Sequence, residues 1–302
     1  MERIAELLHL AYRQSWALEQ GFAALRSVFT ARSLKAACMA VLFFFQSIGF
    51  ALFEVPLPAR GQALDLGGYE LVFCDDFDGD ALDEDAWRYR IEGARRDGID
   101  SREQVAVRDG NLVITAGYRE DGPYGAGWYT GNISLRQWYT RGYFEIRCKC
   151  VDSDDFWSAF WLQSAHSYDH DISAGGPGGA EIDVFEAMSA GKRLKLMRNA
   201  VTSTIHCNGS DDDPEKIDSR NLGTFRANDV YNEFNTYGLE WTEDEYIFYI
   251  NGVETTRSSF GTGVSEVPEE VIISLESPEE IREDKGFTTQ YVIDYVKIWQ
   301  KR

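Results

Sequence analysis

Cysteine is scarce in this chain, and the five present, Cys38, Cys74, Cys148, Cys150 and Cys207, form no CxxC pair and no zinc-ligand spacing. An odd number in a large domain reads as buried thiols rather than a disulfide framework, which leaves the redox compartment open. Positive charge is also short, with 30 Lys and Arg against 50 Asp and Glu, a net charge of −20. Phosphate binding relies on clustered basic side chains that release counterions, so nucleic acid is excluded as a partner and an uncharged one fits better. After residue 60 the chain lacks any long stretch of apolar residues at helical spacing.

Apolar and aromatic residues, by contrast, are plentiful at 44% and 14%, which excludes a disordered chain and requires a packed core. A chain of 302 residues is long enough for one large β domain. Its N-terminal part differs in kind, with a net charge of +2 over residues 1–60 against −22 beyond. Residues 1–35 place Ile4, Leu7, Leu8 and Ala11 on one helical face, which predicts an amphipathic helical segment. Residues 36–54 hold an uncharged apolar run, 36–53, with Arg32 and Lys35 just before it. That reads as a signal-anchor, with membrane anchoring through 36–53 and the remainder extracellular or at the cell surface. The alternative is a cytoplasmic protein in which 36–53 packs as a helix. Residues 55–68 are Pro-rich and read as a linker.

From 69 to 302 the texture becomes short alternating segments such as Leu112-Val-Ile-Thr-Ala116, Glu245-Tyr-Ile-Phe-Tyr-Ile250 and Val271-Ile-Ile-Ser-Leu275, separated by turns such as Asn251-Gly252. β-branched and aromatic residues at period two predict an all-β sandwich.

The segment Gly178-Gly-Ala-Glu-Ile-Asp-Val-Phe-Glu-Ala187 carries three carboxylates in six residues. In a strand, Glu181 and Asp183 share a face while Ile182 and Val184 point into the core. Glu186 has the wrong parity and joins them only if a β-bulge absorbs one residue between Asp183 and Glu186. With that bulge, four strand steps of about 3.3 Å and inward-leaning side chains leave roughly 5 Å between the two glutamate carboxyls, the spacing of a retaining glycosidase. Three like charges so close cannot all ionise freely, so at least one pKa should rise. A solvated acidic edge strand would need no bulge and would leave Phe185 in water.

The segment Glu181-Ile-Asp-Val-Phe-Glu186 resembles the E-x-D-x-x-E signature of glycoside hydrolase family 16, laminarinase-like β-jelly-roll endo-glycanases. The likeness extends from Leu71-Val-Phe-Cys-Asp-Asp-Phe-Asp-Gly79 through Tyr129-Thr-Gly-Asn-Ile133, Trp157-Ser-Ala-Phe-Trp-Leu162 and Phe234-Asn-Thr-Tyr-Gly-Leu-Glu-Trp241 to Ile293-Asp-Tyr-Val-Lys-Ile298. It implies a jelly roll of two antiparallel sheets with a concave cleft. It also implies hydrolysis of internal β-linkages of a polysaccharide, with β-1,3- or mixed β-1,3/1,4-glucan as the expected substrate. Glu181 would be nucleophile, Glu186 general acid/base and Asp183 the helper that orients and electrostatically tunes the nucleophile.

Trp157, Trp161, Trp128 and Tyr124 are candidate sugar platforms, each with core packing as the alternative. Asn132, on the segment that resembles the strands under the cleft, is a further substrate-binding candidate, as is His206, which either bonds sugar or acid or is structural. Glu276 stands where relatives carry a Gly- and Trp-containing stretch. In the cleft it would disfavour sulfated or uronic substrates. No cofactor is required, and Asp294 is a candidate ligand for the structural calcium some relatives hold. The expected partner is a polysaccharide met by a monomer. A non-catalytic glucan-binding module, a transglycosylase and a galactanase remain as alternatives on the same scaffold.

Overall fold

A computed structural model of the chain describes residues 41–42, 45, 57–59, 61–165, 178–187, 199–207, 218–260 and 263–302. The expected helix over 1–35 and nearly all of the expected anchor over 36–53 lie outside them. Among the described residues no helix is long and apolar enough to cross a membrane.

The strands in chain order are β1 (Leu57–Pro58), β2 (Tyr69–Asp75), β3 (Trp87–Tyr89), β4 (Gly93–Arg95), β5 (Gly98–Asp100), β6 (Val105–Arg108) and β7 (Asn111–Arg119). Next come β8 (Gly127–Thr130), β9 (Asn132–Leu135), β10 (Gly142–Lys149), β11 (Trp157–Ser164), β12 (Glu181–Glu186) and β13 (Ala200–Cys207). The last six are β14 (Asp218–Arg226), β15 (Asn235–Trp241), β16 (Tyr246–Ile250), β17 (Val253–Ser258), β18 (Glu269–Glu276) and β19 (Thr288–Lys301). They form two sheets, as the alternating segments predict. The cleft sheet runs β1-β14-β13-β12-β11-β18-β9-β3, and the back sheet β17-β16-β15-β10-β19-β7-β8-β5-β4, with β2 added to β19 and β6 to β7. Pairing is antiparallel except at β1 with β14 and β5 with β8.

Period-two alternation sets what each face of the cleft sheet holds. Phe160 and Leu162 of β11, and Val271, Ile273 and Leu275 of β18, join the core shared with Phe144, Ile146, Leu239, Phe248 and Ile298 of the back sheet. Their neighbours of opposite parity, Trp157, Trp161 and Gln163 on β11 and Glu270, Ser274 and Glu276 on β18, form the other face and line the cleft.

The expected linker over 55–68 is, where described, a strap packed on the sandwich. Leu57 is fully buried in the core and pairs with Phe225 at the margin of the cleft sheet. Four residues on, the strap is hydrogen-bonded to β17. The Gly61 and Leu64 amides donate to the carbonyls of Glu254 (2.8 Å) and Gly252 (2.9 Å), and the Glu254 amide donates to Gln62 (2.9 Å). Leu64 and Leu66 then lie against Tyr143, Ile247 and Tyr249. The Pro residues that suggest a linker serve a segment that covers the outer strand of each sheet, where unpaired backbone would otherwise face solvent. Leu57→Ala should therefore lower the unfolding free energy by about 2–5 kcal/mol, read from the midpoint of a denaturant titration.

Candidate active site

The bulge required by the parity of Glu186 is present. β11 pairs Phe160 with Phe185 and Trp161 with Asp183, and β13 pairs Thr204 with Asp183 and Thr202 with Glu186. Val184 is skipped on both sides. Val184 and Phe185 consequently both turn inward, at 3% and 0% exposure, with the Phe185 ring 4.1 Å from that of Tyr237. Glu181, Asp183 and Glu186 then line one cavity of about 390 Å³ together with Trp157, His206 and Arg96.

Each carboxylate has a neighbour within hydrogen-bonding reach. Gln163 Nε2 donates to Glu181 Oε2 (2.6 Å), Trp157 Nε1 donates to Glu186 Oε1 (2.9 Å), and His206 Nε2 lies 3.1 Å from Asp183 Oδ2. Burial, reinforced by the charge of Asp183, raises the Glu186 pKa to about 8 against the opposing Trp157 hydrogen bond and His206 charge. Burial alone would depress His206, but its hydrogen bond and charge pairing with Asp183, with Glu181 and Glu186 beyond, raise it to about 9. At neutral pH the site therefore offers a protonated Glu186 beside an imidazolium, which suits a proton donor.

Trp157 and Trp161 are in the cleft wall, but neither is an open platform. They are 9% and 6% exposed, with the Arg96 and Arg90 guanidinium carbons 5.2 and 4.9 Å from their ring centroids. Trp161 Nε1 donates to Ser274 Oγ (3.0 Å). Their faces carry cations, and their N–H groups hold the floor.

Two substrate-binding candidates, Trp128 and Tyr124, lie outside the carboxylate cavity. Trp128 is in the core against Tyr118 and Phe156, because its parity on β8 points inward. Asn132 does share the cleft face, opposite Ser274 of β18, but at 2% exposure it lies beneath the wall. Tyr124 is exposed, and its hydroxyl donates to Glu92 (2.9 Å), away from the carboxylate cavity. Asp294 forms an ion pair with Arg147. One carboxylate already neutralised by a guanidinium does not fit a hard cation. Among the described residues the only His, Cys, Asp and Glu group of metal-binding geometry is Glu181, Asp183 and His206, with ligand atoms within 4.8 Å of one another.

Glu276 does line the site, yet it brings no uncompensated negative charge. Arg95 Nη2 reaches both its oxygens (2.8 and 3.0 Å), and Arg96 Nη1 binds Oε2 (2.6 Å). Further along β18, Glu270 is paired with both Arg88 and Arg90. Burial works against its ionised form, but the Ser134 hydroxyl and the two arginines outweigh it and hold the carboxyl below its usual range. A second cavity of about 390 Å³ opens there, lined by Arg88, Arg90, Trp138, Gln163 and Glu270. Sequence reasoning missed this strip. Its signal was Arg88, Arg90, Arg95 and Arg96 within nine residues of a strongly acidic chain.

The family model described as "Beta-porphyranase A-D, GH16 domain" matches residues 71–300. The chain belongs to glycoside hydrolase family 16. It is similar to the endo-1,3-1,4-β-glycanase ExsH of Rhizobium meliloti (strain 1021), 28% identical over 161 residues, covering 51% of this chain and 30% of that protein. It is also similar to the β-glucanase of Rhodothermus marinus, 26% identical over 195 residues, covering 61% of this chain and 63% of that one. The chain thus spans under a third of the first relative and under two thirds of the second. In fold it matches SCLam, a non-specific endo-β-1,3(4)-glucanase, with a TM-score of 0.64 at 21% identity, covering 83% of this chain and 98% of that one.

With Glu186 as proton donor, kcat/KM should fall above about pH 8 as its proton is lost. Asp183→Asn removes a neighbouring negative charge that raises this pKa, so the alkaline limb should move to lower pH. Trp157→Phe removes a hydrogen bond that favours the carboxylate, so the limb should move to higher pH. Opposite displacements in pH–rate profiles of the two variants check the assignment.

Proposed function

We propose that the chain is a retaining endo-glycosidase that cuts internal β-linkages of a polysaccharide by double displacement. Glu181 attacks the anomeric carbon to form a glycosyl-enzyme, while Glu186 gives its proton to the departing oxygen and then takes one from water. Asp183 keeps Glu186 protonated by like-charge repulsion and holds His206. The single observation that carries this reading is the bulge at Val184, which places both glutamates in one cavity. The apolar run 36–53 supports action at the cell surface, where a polymer too large to cross a membrane is met.

β-1,3- or mixed β-1,3/1,4-glucan is the first substrate reading, supported by the activities named for the relatives. The arginine strip favours a second, a β-linked polymer bearing sulfate or carboxylate groups. Four guanidinium groups meet three carboxylates, Glu270, Glu276 and Glu279, and the excess lies at Arg88 and Arg90 around Glu270. The name of the matching family model points the same way.

Laminarin, lichenan, agarose and porphyran, digested in parallel and resolved by product size, separate these readings. Shortening of a neutral glucan at a rate insensitive to salt supports the first. Cleavage confined to the charged polymer, with KM rising as salt screens it, supports the second. Proton NMR of the first products should show anomeric retention, and Glu181→Gln should lose at least about a thousandfold in kcat. A wild type that binds one of these polymers and cuts none would leave only a binding module.

A further inference from the structure

The inward-facing row of β13 contains one misfit. Val201 and Ile205 belong to the core, but Ser203 between them puts a hydroxyl on the same face, at 3% exposure. A buried hydroxyl needs a partner, and this one donates to the main-chain carbonyl of Val184 at 2.9 Å. Val184 is the residue that the bulge leaves without a cross-strand partner on either β11 or β13. At that point in a dry interior the carbonyl is met by a side-chain hydroxyl from the neighbouring strand.

A second irregularity lies directly across Ser203. β13 pairs Ser203 with Gly223 and Thr204 with Asn221, so β14 also skips a residue, Leu222, at this level. Leu222, like Val184, is buried in the core. Gly223 adopts φ +131°, a conformation that side chains rarely tolerate, and its amide is taken by Asn221 Oδ1 (3.0 Å). Two bulges therefore flank Ser203, one in each neighbouring strand, and its hydroxyl bonds the catalytic one.

We propose that Ser203 is a positioning residue for catalysis: its hydroxyl clamps the Val184 carbonyl and so holds the bulge that turns Glu186 towards Glu181 and Asp183. The inference rests on the double-displacement reading above, and it assigns to the core side of the sheet a part in setting the acid/base. Without the clamp the carbonyl must seek another donor, and the least costly route is a local slip of β12 that rotates Glu186 out of its buried place beside Asp183.

The test combines kinetics with a carboxyl-carbon NMR titration of Glu186, which needs no turnover. In Ser203→Ala, kcat should fall roughly tenfold or more while KM changes less than about twofold, as for an interaction that matters only at the transition state. The Glu186 pKa should drop from about 8 towards the ordinary carboxylate range. Ser203→Thr, which retains a hydroxyl, should restore both. If Ser203→Ala does not fold, Ser203→Cys, of similar size but a weak donor, should show the same changes in part. Wild-type kcat and an unmoved Glu186 titration in the folded alanine or cysteine variant overturn the clamp, whatever happens to thermal stability. A wild type without turnover on any polymer would instead defeat the enzymatic reading, leaving the NMR comparison to judge the clamp alone.

Discussion

The parity of a single strand governs this site. A regular β12 would send Glu186 under the sheet and Phe185 into water. The bulge reverses both at once, so the core and the chemistry are fixed by the same residue count. Burying a phenylalanine is worth about 1.5–3 kcal/mol, and moving an unpaired carboxylate into an apolar interior costs several more. The unbulged register therefore loses on two counts, and the hydrophobic contact of Phe185 with Tyr237 acts as the lever that keeps Glu186 on the cleft side.

Once the three carboxylates share a wall, their mutual repulsion has to be relieved, and the surroundings do so unequally. Asp183 is given the His206 imidazolium, Glu181 an amide donor from Gln163, and Glu186 only the weak N–H of Trp157. Unequal support is what separates the roles, because the least compensated and deeply buried group keeps its proton. Glu270 and Glu276 are treated differently, each closed by two arginines, which turns them into anchors for the basic strip.

Features that depend on local order were legible in the sequence. The two-sheet architecture follows from alternation and turns, and the bulge follows from the conflict between the parity of Glu186 and that of Glu181 and Asp183. Features that depend on what lies across a strand pair were not. Trp128 was read into the cleft from its ring type. Which face it occupies is instead set by a register that a linear reading does not contain, its pairing with Tyr118 on β7. The strap over residues 57–68 was hidden for a related reason. Proline and glycine mark a segment that leaves the ladder, and they mark it equally whether it hangs free or is stitched to a sheet edge by its remaining amides.

The net charge shows the same limit in electrostatics. A total of −20 suggests a surface hostile to anions, and that inference holds for a ligand that samples the whole surface. A polymer lying in a cleft does not. At physiological ionic strength exposed charges are screened within about 8 Å, so the distant acidic side chains contribute little where the sugar sits. Groups in a partly dehydrated cleft wall are screened less and act at short range. In the stretch of wall around Glu270 the balance is Arg88 and Arg90 against that one carboxylate, the reverse of the chain as a whole. A strongly acidic protein can therefore present a basic path to its substrate. The acidity elsewhere would repel a charged polymer that approached any other part of the surface, so the contrast between cleft and surround favours one mode of binding more than either charge alone.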